Sequence, residues 1–352
     1  MGLIRRIARA RLAARVIRRL RRAGVTGARY HSRAFEIRFT AAGDVEPTIL
    51  QLEPLLVRRA KRRELDDFVG GLLRTPGMPA EWQEAAPLLR PVLRGAAPGA
   101  PLRRPTLPFL SEFVVVDQPD TMTYVTPAQF LDWHVSADLI FATARSNLSG
   151  AVLRGVASGP TVVRFVDDGD AYWTSHLLLA NWLAGLAEQV GGTPVAFAPE
   201  RGTLLVAADG SDHLPGLFAQ AEEFYLSSAR GLTPMAYVSD DQGCTVPYSA
   251  PPGHPLHSLV QRAERVLAIG EYARQAENST LPLAPLRLTG SAADGWRTRA
   301  VWATDAPALL PEADEVQLGD RVLAWSALLP HLSVAEELSP ARWHGKGWPE
   351  RP

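Results

Sequence analysis

The chain has 352 residues with 37 basic and 37 acidic side chains, and its hydrophobic content of 46% is normal for a soluble globular protein. Its single cysteine, Cys244, excludes an intrachain disulfide and a cysteine zinc cluster. The longest strongly apolar run, Leu177–Ala187, is too short to span a bilayer, and arginines interrupt every apolar run near the N-terminus. We therefore expect a cytoplasmic protein.

The charge is unevenly distributed along the chain. Residues 1–63 contain 17 Arg and Lys against four acids, a net charge of +13, so the remainder has a net charge of −13. In residues 10–23, four apolar side chains share one face and the arginines share the other, which predicts an amphipathic core helix. In residues 1–9 the apolar side chains point the opposite way, so we predict a separately directed basic segment.

The N-terminal part of the first domain is predicted to be helix, strand and helix, over residues 10–94. Alternating apolar and polar residues from Ala34 to Thr40 predict a half-buried strand. Apolar spacing then predicts a helix from about Pro54 to Leu73. The Pro-rich residues 95–108 are predicted to form a linker.

The main part of the first domain, residues 109–248, contains the clearest local signals. Phe113 to Asp117 is a β-branched run that predicts a buried strand. Thr126 to Gln129 is typical of a helix start with a capping box, and Ser136 is positioned to cap the next helix. A strand from Thr161 to Val166 follows.

A long helix is then expected to begin at Thr174 or Ser175 and to end at Gly191, before two strands at Val195–Ala198 and Leu204–Ala208. Such a mixture favours an α+β fold with a mixed or largely antiparallel sheet and packed helices.

The C-terminal residues are predicted to form a smaller α+β extension, residues 256–352, after a linker at residues 249–255. Leu256 to Gln275 is typical of a helix, and Arg297 to Thr304 of a strand. The tail from Ala341 to Pro352 is rich in Gly, Pro and Trp and is expected to be irregular.

Several stretches together resemble the bacterial YtpQ-like family, a domain family of unknown function. They are "VVVDQPDTMTYVT", "FLDWHVS" followed by Ala144 and Asn147-Leu148, "LLLANWLAGLAEQVGGTPVAFAPERGTLLVAADGSD", "LTPMAYVSDDQG", and Leu88 with Pro91 to Arg94. The resemblance covers about residues 10–248, implies an α+β domain and lends no catalytic residue. Where the family has Gly-Tyr-Asp-Ala-Ser-Arg, this chain has "AYWTSH", without the Asp and the Arg.

The sequence contains no dinucleotide fingerprint, phosphate loop, zinc-protease motif or nucleophile elbow. Ser175 and His176 are interpreted as a helix cap and a surface histidine, because neighbours on a helix point about 100° apart. Two acidic clusters, Asp167, Asp168 and Asp170 and then Asp240 and Asp241, are interpreted as turns. Cys244 is interpreted as a structural thiol, and Asp132 and His134 as a solvated pair around a buried Trp. The aromatic and basic residues near the C-terminus are interpreted as a docked tail: Trp325, Trp343, Trp348, His344 and Lys346. We therefore predict no catalytic residue, cofactor or metal site.

The basic N-terminal residues are the main functional signal. The candidate partner-binding residues are Arg5, Arg6, Arg9, Arg58, Arg59, Arg62 and Arg63. They predict a non-catalytic binding or adaptor protein whose partner is an acidic protein, a nucleic acid or an anionic membrane surface. The alternatives are a hydrolase-like enzyme with dispersed polar residues in a cleft between two domains, and an oligomerising structural protein.

Overall fold

The structure of this protein is a computed structural model. It describes residues 3–22, 25, 27–39, 48–52, 65, 78–95, 101–118, 121–148, 159, 161–166, 172–277, 279–303, 307–335 and 338–345. Of the helix predicted from Pro54 to Leu73, only Leu65 lies within the described residues, and it is buried.

The described helices are α1 (Leu3–Arg22), α2 (Trp82–Ala85), α3 (Pro127–Asp132), α4 (Ala137–Ser146), α5 (Ala187–Val190), α6 (Leu214–Ser227), α7 (His257–Glu277) and α8 (Trp325–Leu328), with 3-10 helices at Ala86–Leu88, Trp173–Leu178, Ala184–Leu186 and Leu329–His331. The described strands are β1 (Arg29–His31), β2 (Glu36–Phe39), β3 (Thr48–Gln51), β4 (Leu89–Arg94), β5 (Arg103–Leu107), β6 (Leu110–Gln118), β7 (Thr121–Tyr124), β8 (Val163–Val166), β9 (Pro194–Glu200), β10 (Thr203–Ala208), β11 (Ala236–Ser239), β12 (Thr245–Pro247), β13 (Leu286–Ser291), β14 (Gly295–Trp302), β15 (Ala308–Pro311), β16 (Glu315–Leu318), β17 (Arg321–Ala324), β18 (Ser333–Ala335) and β19 (Arg342–Gly345). The chain divides into two compact units, the first comprising residues 1–106, 110–152 and 167–179, and the second residues 107–109, 153–166 and 180–352. The domain boundaries drawn from the sequence stay predictions.

The first unit is built on a seven-stranded sheet in the order β1-β2-β3-β7-β6-β4, with β5 also paired to β6. Neighbours along that order are antiparallel. The centre of β6 is buried on both faces: Val114 and Val116 pack into one hydrophobic cluster, and Phe113 and Val115 into another. The buried strand predicted from Phe113 to Asp117 is thus confirmed.

The helix starts that follow β7 have the predicted caps. The Gln129 side chain accepts a hydrogen bond from the Thr126 backbone N–H at 2.9 Å, which completes the capping box at the start of α3. Ser136 Oγ accepts from the Leu139 N–H at 3.2 Å at the start of α4. Both helix starts are confirmed, because short polar side chains satisfy backbone N–H groups that have no partner within the helix.

A buried ion pair joins β6 to α4. Glu112 is fully buried, and the Arg145 Nε and Nη2 groups donate to its two carboxylate oxygens at 2.8 and 2.6 Å. A two-pronged guanidinium–carboxylate contact is among the strongest charge-assisted hydrogen bonds. Because water does not reach the charged carboxylate of Glu112, that charge is stabilised in the folded protein by Arg145.

The second unit contains three sheets. A five-stranded antiparallel sheet has the order β12-β11-β9-β10-β8, and a three-stranded antiparallel sheet the order β15-β19-β18. In the four-stranded sheet β13-β14-β16-β17, only β14 and β16 are parallel. The predicted α+β class with largely antiparallel sheets is confirmed.

Helices α6 and α7 pack together around a buried polar group. A Cβ atom at Gly270 would lie 2.1 Å from the Tyr225 hydroxyl, so only glycine allows the ring at this place. Arg274 donates to that hydroxyl at 2.5 Å and pairs with Glu271 at 2.7 Å. Burial raises the pKa of Glu271 to about 7, against the opposing charge of Arg274.

The tail after Ala341 was expected to be irregular, and this is wrong for residues 342–345, which form β19. Arg342 is fully buried and donates to the carbonyl oxygens of Ala284 and Leu309, both at 2.9 Å. A buried guanidinium that satisfies backbone carbonyl groups fixes the strand in place, a constraint that composition does not reveal.

The long helix predicted from Thr174 or Ser175 to Gly191 is also wrong. The chain forms 3-10 helices at Trp173–Leu178 and Ala184–Leu186 and the single turn α5. Between them Asn181 has a φ of 61°, and a residue in the left-handed region interrupts a right-handed helix. Gly191, with a φ of 78°, does end α5 as expected.

The local structure of two further segments differs from the sequence expectations. Helix α1 is continuous from Leu3 to Arg22, so the separate direction predicted for residues 1–9 is wrong for residues 3–9. The predicted linker at residues 95–108 contains β5, which pairs with β6. Backbone pairing satisfies N–H and C=O groups that a linker would leave to water.

We expect Arg145→Ala to lower the free energy of unfolding by about 3 kcal/mol, because Glu112 would remain buried without its partner. Urea unfolding followed by far-UV circular dichroism measures this loss. Arg297→Ala is the control: it breaks a pair with Glu315 in which the arginine is 60% exposed, and we expect a cost below about 1 kcal/mol. Equal losses in the two variants would contradict a buried ion pair.

We expect Glu271→Gln to change the pH dependence of stability. Since the folded pKa of about 7 lies above the ordinary value of 4.5, the folded state binds more protons between these values, and the wild-type protein loses stability as pH rises through them. At pH 8 the variant should be more stable than the wild type by about 1 to 3 kcal/mol, and the difference should vanish near pH 4. Unfolding curves at both pH values test this, and parallel pH profiles of the two proteins would refute it.

Candidate functional site

Helix α1 is rich in Ala, Leu and Arg, which have high helix propensity. Its apolar stripe is buried. Leu12 is 6% exposed, and Val16 and Leu20 are fully buried. They belong to one hydrophobic cluster with Ile37 of β2 and Leu50 of β3. This packing fixes which face of α1 meets solvent.

The opposite face of α1 presents four arginines, Arg11, Arg15, Arg18 and Arg22, which we name the arginine row. Arg11, Arg18 and Arg22 are exposed and Arg15 is partly exposed. Their spacing of four, three and four residues places them within about 60° of one another on a 3.6-residue helix. With a rise of 1.5 Å per residue, the arginine row is about 17 Å long.

The arginine row has no acidic neighbour on its own helix, because α1 contains no Asp or Glu. Within the part of the chain that the structure describes, none of the four guanidinium groups forms an ion pair. Like charges three or four residues apart on a helix destabilise it by about 0.2 to 0.5 kcal/mol per pair. A bound anion would remove that repulsion.

The residues predicted for partner binding occupy different places. Arg6 is exposed on α1. Arg9 is partly buried, and its guanidinium carbon lies 4.5 Å from the centroid of the Phe35 ring, away from the arginine row. The backbone of Arg5 belongs to α1, whereas its side chain lies outside the described residues. So do Arg58, Arg59, Arg62 and Arg63.

The arginine row was not among the predicted candidates, although its signal is present in the sequence. The spacing of Arg11, Arg15, Arg18 and Arg22 is that of one helix face. From the sequence those arginines form the polar side of a core helix, and the predicted binding residues lie in residues 1–9 and 58–63 instead.

The hairpin beside α1 adds further positive charge. Arg29 and Arg33 are exposed on β1 and on the turn to β2. Burial lowers the pKa of His31, and the charge of Arg38 lowers it further, with Glu36 opposing. A histidine whose charged form is disfavoured by neighbouring arginines is consistent with a positive local potential.

Ser175 and His176 differ from their predicted roles. Ser175 is 1% exposed and His176 2% exposed, so the prediction of a surface histidine is wrong. The segment Trp173–Leu178 packs with β4 as a 3-10 helix, which removes both side chains from solvent. The His176 Nδ1 atom lies 3.2 Å from the Tyr172 carbonyl oxygen. The pair is thus part of the packed interior of the first unit.

The second unit contains an open polar pocket of about 460 Å³ beside α7 and the four-stranded sheet. Its charged side chains pair with one another: Arg265 lies 3.5 Å from Asp314, and Arg297 lies 3.2 Å from Glu315. Asp314 also accepts from the Thr298 N–H at 2.6 Å. Asp314 thus links α7 to the sheet, whereas Glu315 links two neighbouring strands of the sheet.

Asp240, another polar residue singled out in the sequence, stabilises the turn between β11 and β12. Asp240 accepts hydrogen bonds from the backbone N–H groups of Gln242 and Cys244 at 3.0 and 2.8 Å, and Cys244 is exposed. Asp167, Asp168 and Asp170 lie outside the described residues. Across the described ranges no group of three or more His, Cys, Asp or Glu side chains is placed to hold a metal ion.

No helix in the described part of the chain has both the length and the apolar character needed to cross a membrane. Comparison with family models, with curated proteins and with solved structures gave no match for this chain. Its resemblance to the YtpQ-like family stays a prediction.

We expect Leu20→Ala to lower the free energy of unfolding by about 2 to 5 kcal/mol, because it removes a fully buried side chain between α1 and the sheet. Arg18→Ala, on the exposed face of the same helix, should change it by no more than about 0.5 kcal/mol. Chemical denaturation of both variants measures the two effects. If Arg18→Ala proved as costly as Leu20→Ala, the assignment of the buried and exposed faces of α1 would be wrong.

Proposed function

We propose that this protein is a non-catalytic binding or adaptor protein of the cytoplasm, which contacts an acidic partner through a basic N-terminal surface. The arginine row is the described part of that surface, and Arg5, Arg6, Arg9, Arg58, Arg59, Arg62 and Arg63 stay the candidates predicted from the sequence. The partner is an acidic protein, a nucleic acid or an anionic membrane surface.

The observation that supports this proposal is the row of exposed arginines on α1, a helix without an acidic residue. Several arginines of the second unit pair with local carboxylates: Arg262 donates to both oxygens of Glu222, at 2.8 and 2.7 Å. Arg299 pairs with Glu315 at 2.7 Å. The arginine row instead exposes cations with no acid on the same helix. Clustered cations without local acids attract polyanions at a distance and speed their association.

Retention on immobilised heparin, a polyanion, tests the proposal. We expect the wild-type protein to bind at low salt and to elute as salt screens the charges. A variant with Arg11, Arg15, Arg18 and Arg22 changed to Gln should elute at distinctly lower salt, because four cations leave one surface. A second variant, with Arg58, Arg59, Arg62 and Arg63 changed to Gln, tests the part of the surface predicted from the sequence.

The control is a variant of equal charge change, with exposed arginines from other elements replaced by Gln: Arg103, Arg164, Arg287 and Arg321. It should elute with the wild type. A wild-type protein that passes through the column unretained, or a control that shifts as far as the arginine-row variant, would overturn the proposal. In the second case retention would follow net charge alone.

A further inference from the structure

We propose that the partner of the arginine row is B-form duplex DNA, bound through its phosphates without regard to base sequence. This inference rests on the proposed function and names the chemistry of the partner. The arginine row presents four arginines along one side of α1, and guanidinium groups match phosphate oxygens in geometry and charge.

The length of the arginine row suits a groove of B-form DNA. The row is about 17 Å long, and the major groove is about 12 Å wide. A helix that lies across the groove therefore places Arg11 and Arg22 near the phosphates of opposite strands, with Arg15 and Arg18 above the groove between them. The exposed neighbours on α1, Ala10 and Ala14, are small and permit close approach.

The composition of α1 limits which bases the helix can read. It contains no Asn, Gln, Ser or Thr, the side chains that form hydrogen bonds with adenine or with several bases, and its arginines match guanine. Most contacts that position a protein on duplex DNA go to phosphate and sugar, and they carry no sequence information. The contacts that we place at Arg11 and Arg22 are of this second kind and do not depend on base sequence.

An anionic membrane is a poorer match, because the apolar stripe of α1 is already buried against the sheet. A helix that lies in a membrane interface inserts an apolar face between the lipids. In α1 the residues of that face, Leu12, Val16 and Leu20, are at most 6% exposed. Among the described side chains of α1, Ile7 is the one large apolar side chain that is exposed, at 42%.

Single strands and duplex RNA are poorer matches for other reasons. Single-strand binding relies on aromatic side chains that stack on bases, and α1 has none. Tyr30 of β1, the nearest aromatic residue after the helix, packs edge-on against Phe35 with ring centroids 6.4 Å apart. The major groove of duplex RNA is deep and narrow, so the phosphates on its two sides lie closer together than the two ends of the arginine row.

The test is fluorescence anisotropy of the full-length protein with a labelled DNA duplex of about two helical turns, at salt concentrations from about 50 to about 200 mM. Two phosphate contacts, from Arg11 and Arg22, predict a slope of about −2 in the plot of log affinity against log salt, which is a loss of roughly 10-fold over this range. The variant with the arginine row changed to Gln should lose most of this affinity and most of the slope. A duplex of different base sequence should bind equally.

Three further ligands separate the alternatives: duplex RNA and single-stranded DNA of the same sequence, and vesicles of phosphatidylcholine with phosphatidylserine. The variant in which Arg103, Arg164, Arg287 and Arg321 are Gln should bind duplex DNA like the wild type. Tighter binding to any of the three other ligands, or equal losses in the two variants, would overturn the inference.

The heparin experiment keeps the two proposals distinguishable. If the arginine row governs retention on heparin while duplex DNA does not bind, the partner is wrong and the basic binding surface stands. If neither heparin nor DNA is bound, both proposals fail. Circular dichroism of each variant shows whether lost binding reflects lost structure.

Discussion

The packing of the apolar stripe of α1 against β2 and β3 is the constraint on which the proposed binding surface depends. Leu12, Val16 and Leu20 occupy one side of the helix and lie in the same hydrophobic cluster as Ile37. Since a helix has one rotational setting that buries such a stripe, the arginines on the opposite side are held towards solvent. The hydrophobic contact thus orients the charges, and it does so in a row instead of a diffuse cluster.

Elsewhere in the described chain, charged side chains of opposite sign pair with one another. Two buried carboxylates of the first unit each pair with a guanidinium: Glu112 pairs with Arg145, and Glu36, 1% exposed, pairs with Arg38 at 2.6 Å. Such pairs offset the cost of removing a carboxylate from water. Although the sequence is neutral overall, α1 therefore presents cations without an acid on the same helix, while these arginines are paired within the fold. The positive charge of α1 is therefore concentrated on one side of the helix, which the net charge of the sequence does not reveal.

Local signals predicted much of the fold, because strand β6 and the starts of α3 and α4 are specified by residues close in sequence. One prediction failed where a contact between residues far apart in sequence determines the backbone conformation. Asn181 takes its left-handed conformation where its N–H donates to the Gly243 carbonyl oxygen at 2.8 Å, a contact between residues far apart in sequence. The direction of residues 3–9 was wrong for another reason: a helix without a breaking residue continues even when it exposes Ile7, because one exposed apolar side chain costs little.

The arginines of α1 differ in how strongly the dipole of the helix stabilises their charge. Arg19, Arg21 and Arg22 lie in the last turn, where the partial negative charge of the helix end stabilises cations by about 0.3 to 1 kcal/mol. Arg11, Arg15 and Arg18 lie further from that end and gain little from it, so their mutual repulsion is not offset within the helix. Arg22 therefore has a structural reason for its place, whereas the middle of the arginine row has none in the described fold. The case for a polyanionic partner rests most firmly on Arg11, Arg15 and Arg18.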